Sequence, residues 1–174
     1  MIRAALLTLI LAGCTVARVS SYRDTEAPFA STTRFDAARY AGRWYEIARF
    51  PVASEAGCAA TTADYALRPD GRLGVVNTCR EGRPEGLPRR ITGTATVVGP
   101  GRLSVRLGST STAAPYWVLW VDESYRTAVV GVPSGRAGWI LNRDPTLPRD
   151  RLRAALEVLA FNGYDVGRLE YVEH

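Results

Sequence analysis

The sequence predicts an all-β protein: an eight-stranded antiparallel up-and-down β-barrel, with one C-terminal α-helix packed outside it and a final short strand. Three observations carry that expectation. Eight short segments rich in β-branched and aromatic residues lie between Phe35 and Arg143, each joined to the next by a short turn or loop. The hydrophobic period then changes from two to 3.6 residues over "PRDRLRAALEVLAFNG" (148–163). Finally, an open sheet of this kind would expose two edges, which full closure removes. An immunoglobulin-like sandwich is the alternative, but the helix and the lack of long crossovers count against it.

Composition bounds the function. The 174 residues suffice for one domain with a full core and are too few for two. All 22 basic residues are arginines, set against 17 acids for a net charge of +5. They are scattered, so no nucleic-acid surface is expected, although the mild positive charge favours an anionic membrane surface.

The chain opens with "MIRAALLTLILAGC". Arg3 precedes an apolar run, Ala4 to Ala12, that is much shorter than the roughly 20 residues of a membrane span. Its end, Leu11-Ala12-Gly13-Cys14, resembles a lipobox, so residues 1–13 read as a lipoprotein signal peptide. That resemblance implies a lipidated Cys14 at the mature N-terminus. The absence of aspartate after Cys14 favours the outer membrane. Residues 14–33 are small and polar without a period and read as a flexible tether, leaving 34–174 for the barrel.

The strands follow in order. "WYEIARF" (44–50) alternates Trp44, Glu46, Ala48 and Phe50 on one face with Tyr45, Ile47 and Arg49 on the other. A carboxylate beside a tryptophan is costly in a close-packed core and suits a partly wet cavity. "TTADYAL" (61–67) turns at Pro69-Asp70-Gly71 into "RLGVVNTC" (72–79), a hairpin signature. "RRITGTATVV" (89–98) breaks at Gly99-Pro100-Gly101 before "RLSVRLG" (102–108). "PYWVLWV" (115–121) turns through Glu123-Ser124 into "YRTAVVGV" (125–132), which would pair Asp122 with Tyr125 and put Tyr116, Val118 and Trp120 on one face with Thr127 and Val129. "GWILNR" (138–143) completes the eight. In the helix, Leu152, Ala155, Leu156 and Leu159 form the apolar stripe, with Pro148 at its entry and Asn162-Gly163 at its exit. "RLEYVE" (168–173) is the last strand.

With Cys14 acylated, Cys58 and Cys79 remain as an even pair in an oxidising compartment and read as a disulfide. In plain register Cys79 faces about residue 61, so the bond requires a bulge or a loop that curls Cys58 back. The single histidine, His174, makes a metal site or a Ser/His or Cys/His hydrolase hard to build.

Three motifs in this order resemble the lipocalins, most closely the bacterial outer-membrane lipoprotein lipocalins and apolipoprotein D. They are Gly42-x-Trp44 in "YAGRWYEIARFP", Asp122 and Tyr125 in "YWVLWVDESYRTAVVG", and Arg143 in "GWILNRDPTLP". The resemblance implies that Trp44 closes the narrow end of the barrel beneath Arg143, that Gly42 permits close approach there, and that Asp122 and Tyr125 shape a turn. It places ligand entry at the other end, past the loop at 51–60. Against apolipoprotein D, Cys58 has a counterpart but its C-terminal partner is missing, so Cys79 must substitute, and Trp120 is unusually bulky.

The implied function is that of a binding protein without cofactor, metal or catalytic residues: a membrane-anchored container for a small lipophilic ligand, a fatty acid or lysophospholipid. An envelope scaffold and a lipid-modifying enzyme are the competing classes. The expected pocket comprises Glu46, Tyr65, Val75, Asn77, Leu103, Val105, Tyr116, Val118 and Trp120. Glu46 would orient a head group or bond to Asn77 or a tyrosine.

Overall fold

Alternating side chains and short turns produce a continuous antiparallel meander that closes on itself. In the computed structural model, which describes residues 21–174, a one-turn helix α1 (Ala37–Tyr40) leads into eight strands. These are β1 (Gly42–Arg49), β2 (Cys58–Leu67), β3 (Leu73–Glu81), β4 (Pro88–Gly99), β5 (Arg102–Leu107), β6 (Ala114–Val121), β7 (Thr127–Gly131) and β8 (Gly138–Asn142). Each pairs with the next, and β1 bonds to both β2 and β8, so the eight-stranded barrel has no free edge. Helix α2 (Arg149–Phe161) and strand β9 (Glu170–Tyr171) follow, β9 adding to β1 outside the barrel. Short helix α1 is absent from the sequence reading; Asp36 caps it by accepting from the Ala38 and Arg39 amides.

Helix α2 buries Ala155 and Leu159 on the outer face of the barrel, against Ile47, Leu119, Val129 and Ile140. It ends as Asn162-Gly163 implies. Gly163 adopts φ +84°, its amide donates to Ala160 and that of Tyr164 donates to Leu159, so the last carbonyls are satisfied.

Two bulges turn strand faces over. In β1 the register to β8 slips between Glu46 and Ala48, making Ile47 the extra residue. Ala48 and Phe50 therefore lie outside, beneath the helix, rather than sharing the inner face of Trp44 and Glu46, and Arg49 turns inward. The freed carbonyls are used: Ile47 accepts from the Val172 amide, and Glu46 is bonded by the His174 ring. In β6 the slip falls between Val118 and Trp120, so Trp120 joins the outer cluster with Leu119 and Val129. The turn after β6 also differs from the two-residue expectation. Asp122 pairs with Thr127, its carboxylate accepts from the Arg126 and Thr127 amides, and Tyr125 sits at φ +56° inside the turn.

A third irregularity makes the disulfide possible. The β2–β3 register slips between Ala59 and Thr62, which draws Cys58 back until its Cα lies 5.4 Å from that of Cys79.

The signal peptide and Cys14 lie outside the described residues, as does the first part of the 14–33 tether. The described part of that segment is packed, not free. Arg23 is buried, donating to the carbonyls of Asn162, Pro133 and Ala27, and Tyr22 stacks on Phe50 with 5.1 Å between centroids. Phe29 stacks on Trp117, an outward aromatic, at the same distance. Covering exposed aromatics compensates the entropy of ordering this arm.

One end of the barrel is sealed. Trp44 is fully buried and donates its indole N–H to the Tyr40 carbonyl at 2.8 Å. The Arg143 guanidinium lies 3.7 Å above its ring and donates to the carbonyls of Tyr125, Arg43, Arg39, Tyr40 and Ala41. Gly42, at φ +97°, lets the chain pass under this group, since a Cβ there would stand 3.2 Å from Arg143 Nη1. One arginine thus joins α1, β1, the β6–β7 turn and β8. Arg143→Ala is expected to cost about 3 kcal/mol or more, because several carbonyls lose a charged donor at once. Arg143→Lys should recover less than half of that, since an ammonium has no planar fork. Urea unfolding midpoints of the three proteins check both values.

Candidate functional site

The end opposite Trp44 is open. A cavity of about 810 Å³ runs down from the mouth formed by loops 50–57, 82–87, 108–113 and 132–137, which is large enough for a small-molecule ligand. Its wall is mostly apolar, with Val75, Ile91, Val105, Leu107, Trp139 and Leu141 among the lining residues. Arg89 and Arg90 stand at the rim on β4. At the bottom, Tyr65 and Tyr116 face the cavity, and Tyr40 lies behind them against Trp44.

The polar part of the upper wall follows from the β1 bulge. By turning Arg49 inward, the bulge brings its Nη1 to 3.0 Å from Glu46 Oε1, and its Nη2 donates to the Cys58 carbonyl at 2.9 Å. Glu55, from the β1–β2 loop, lies 3.9 Å from Arg49 Nε and accepts from the Trp139 indole. Two carboxylates therefore share one guanidinium within a largely dry wall. Burial, then repulsion from Glu55, raises the Glu46 carboxyl to about 8 despite the opposing pull of Arg49. Burial also raises Glu55, against its bond from Trp139 and the Arg49 charge.

Comparison with known proteins decides the family. The Lipocalin-like domain model matches residues 35–174. The chain is 37% identical to outer membrane lipoprotein Blc of Escherichia coli K12 over 145 residues, covering 80% of this chain and 79% of that protein. It is 34% identical to apolipoprotein D of Cavia porcellus over 144 residues, covering 78% and 75%. The chain is a lipocalin. Among solved structures, insecticyanin from the tobacco hornworm Manduca sexta superposes with a TM-score of 0.70 at 18% identity, over 89% of this chain and 87% of that one, which shows the same fold.

In this lipocalin, then, the open cavity is the candidate site for a small lipophilic ligand, and the sequence-derived residues divide among three places. Glu46, Tyr65, Val75, Asn77, Val105 and Tyr116 line it. Leu103 and Val118 are fully buried below it, in the cluster that includes Trp44 and Leu73. Trp120 lies outside the barrel, for the reason given by the β6 bulge. Gly42, Trp44 and Arg143 form the sealed end, and Asp122 and Tyr125 shape the neighbouring turn. Glu46 bonds to Arg49 rather than to Asn77 or a tyrosine. Sequence reasoning missed Arg49 because strict alternation sent it outward. It missed Trp139 because the alternation of a five-residue strand was not phased, and Glu55 because it sits in a loop.

The shared guanidinium has a consequence for stability. The folded state keeps a proton on Glu46 that the unfolded chain releases near pH 4.5, so stability falls as pH rises from there towards about 8. Glu46→Gln retains an acceptor for Arg49 and removes the buried charge. The thermal midpoint of the parent should drop between pH 5 and pH 8.5, and that of Glu46→Gln should drop less. Melting curves across this range measure both slopes.

Proposed function

We propose that this lipocalin holds a fatty acid or lysophospholipid, acyl chain in the cavity and head group at the mouth, while tethered to the periplasmic face of the outer membrane through a lipidated Cys14. The observation that carries the reading is the cavity itself: an apolar wall under a rim that bears Arg89 and Arg90. Rim arginines suit a carboxylate or phosphate, while the Arg49 guanidinium deeper on the wall is already engaged by Glu46 and Glu55. Burying ten methylenes contributes about 8 kcal/mol, the scale of micromolar binding, and longer chains leave a margin for ordering costs.

The chemistry favours binding over turnover. The sole histidine uses a ring nitrogen on the Glu46 carbonyl, 2.9 Å away, and Cys58 and Cys79 are bonded to each other. The lipobox-like Leu11-Ala12-Gly13-Cys14 supports the anchor, as does the likeness to a protein named as an outer membrane lipoprotein.

Native mass spectrometry of protein extracted from its own membrane should show a bound lipid, and oleate or a lysophospholipid should displace a fluorescent fatty acid. A cavity that arrives empty and takes up neither probe would refute the lipid reading. For the anchor, Cys14→Ser should move the protein from the outer-membrane fraction to the soluble periplasm with its fatty-acid affinity unchanged; retention in the membrane would count against lipidation.

A further inference from the structure

The floor of the cavity carries more hydrogen-bond donors than the protein uses. The Tyr40 and Tyr116 hydroxyls are 2.8 Å apart, and the Tyr65 hydroxyl lies 3.1 Å from that of Tyr116. Burial raises all three phenols, Tyr65 to about 12 and the other two well above their ordinary value, so each carries its proton at neutral pH. Three O–H groups share two hydrogen bonds. Whichever way the hydroxyls rotate, at least one hydrogen has no acceptor among the described residues, because no other bond is made by these three oxygens. A buried donor left unmatched is costly, and natural structures rarely keep one.

A second polar residue faces the same space. Asn77 lines the cavity from β3, on the rung that pairs with Ala63, two residues from the Val75–Tyr65 rung. Its Oδ1 is buried without a partner, and its amide makes no hydrogen bond among the described residues. The cavity thus has an unmatched donor at its floor, and the Asn77 carboxamide stands on the wall with its oxygen packed away from the open space.

We propose that the floor is a second polar subsite, and that the occupant is an acyl chain carrying a hydroxyl on its inner part, not a plain hydrocarbon tail. The inference rests on the acyl-binding reading above and specifies the ligand within it. A hydroxyl is the simplest neutral group that accepts from one tyrosine hydroxyl and donates to the oxygen of another. An ionised head fits the floor poorly. The Arg143 guanidinium that bears on Tyr40 is committed to backbone carbonyls and is not free to pair with an anion there. The two ends of the ligand are therefore read by different chemistry, charge at the rim and a neutral oxygen at the floor.

The test compares unsubstituted fatty acids of 10, 12, 14 and 16 carbons with their ω-hydroxy counterparts by calorimetry, in the parent protein and in Tyr116→Phe. Without a subsite, burying the extra hydroxyl weakens binding about tenfold or more at every length. With it, at least one ω-hydroxy acid binds as tightly as its unsubstituted partner or better. In Tyr116→Phe that same acid should lose about tenfold relative to its unsubstituted partner. Tyr65→Phe repeats the comparison should Tyr116→Phe fail to fold. A hydroxyl penalty at all lengths in the parent, or a ratio unmoved by removing either phenol, overturns the subsite and leaves the acyl-binding reading intact. Failure to bind any of the acids overturns both.

Discussion

The barrel depends on Arg143 over Trp44. A sheet closed into a cylinder has two open ends, and a chain of this size cannot fill both with side chains and still contain a ligand. Sealing one end concentrates the packing there: Trp44, Tyr40, Leu73, Leu103 and Val118 are all buried in one cluster above the guanidinium. The other end is then free to be hollow. Because Arg143 gathers carbonyls from α1, β1 and the β6–β7 turn, it also fixes where β1 meets β8, the seam on which closure depends. Its charge is tolerable because it remains partly hydrated and every donor nitrogen has an acceptor.

From that seal the strands diverge towards a mouth whose wall tolerates charge. An isolated carboxylate beside an apolar cavity is very costly, and a paired one is less so. The β1 bulge supplies the pair locally, placing Glu46 and Arg49 on the same inner face three residues apart. Glu55 makes the arrangement unbalanced, so one proton stays with the two carboxylates over much of the neutral range. The guanidinium and the one remaining carboxylate charge then cancel, so the wall is polar without a net charge, which keeps it compatible with an acyl chain.

Much of this was legible in the sequence, and the failures share one cause. Gly42, Trp44 and Arg143 could be placed because their motifs, in that order, resemble those of the lipocalins, which implies their meeting at the closed end. The helix stripe was equally plain, since Ala155 and Leu159 obey a period that nothing interrupts. Period-two reasoning failed where a strand carries one residue too many. A single extra residue inverts every side chain beyond it, which moved Ala48, Phe50 and Trp120 out and Arg49 in. Around Leu119 the composition gives no warning, because β6 is apolar on both faces there, and around Ile47 the alternation of Glu46 and Arg49 with apolar residues fits an unbulged strand equally well. The β2 bulge differs: a disulfide between Cys58 and Cys79 required either a bulge or a loop that curls Cys58 back, and the structure uses the bulge. Depth in the barrel was likewise invisible. Leu103 and Val105 share a stripe, yet one is buried at the seal and the other lines the cavity.

The packed N-terminal arm bears on how the barrel would meet a membrane. The Tyr22 amide donates to the Gly135 carbonyl at 2.7 Å, and Arg23 donates to Pro133, so the arm is held against the 132–137 loop. That loop contributes Val132, Ser134 and Ala137 to the cavity, at the mouth and not at the sealed end. With the proposed anchor at Cys14, only seven peptide units separate the lipid from Ser21, a reach of about 25 Å even when fully extended. A tether free up to residue 33 would instead let the barrel take any orientation. Under that proposal, fixing the chain beside the mouth would bias the open end towards the bilayer, where an acyl ligand would pass between membrane and cavity with less exposure to water. The arm that covers Trp117 and Phe50 on the outside of the barrel would thereby also set the direction in which its cavity opens.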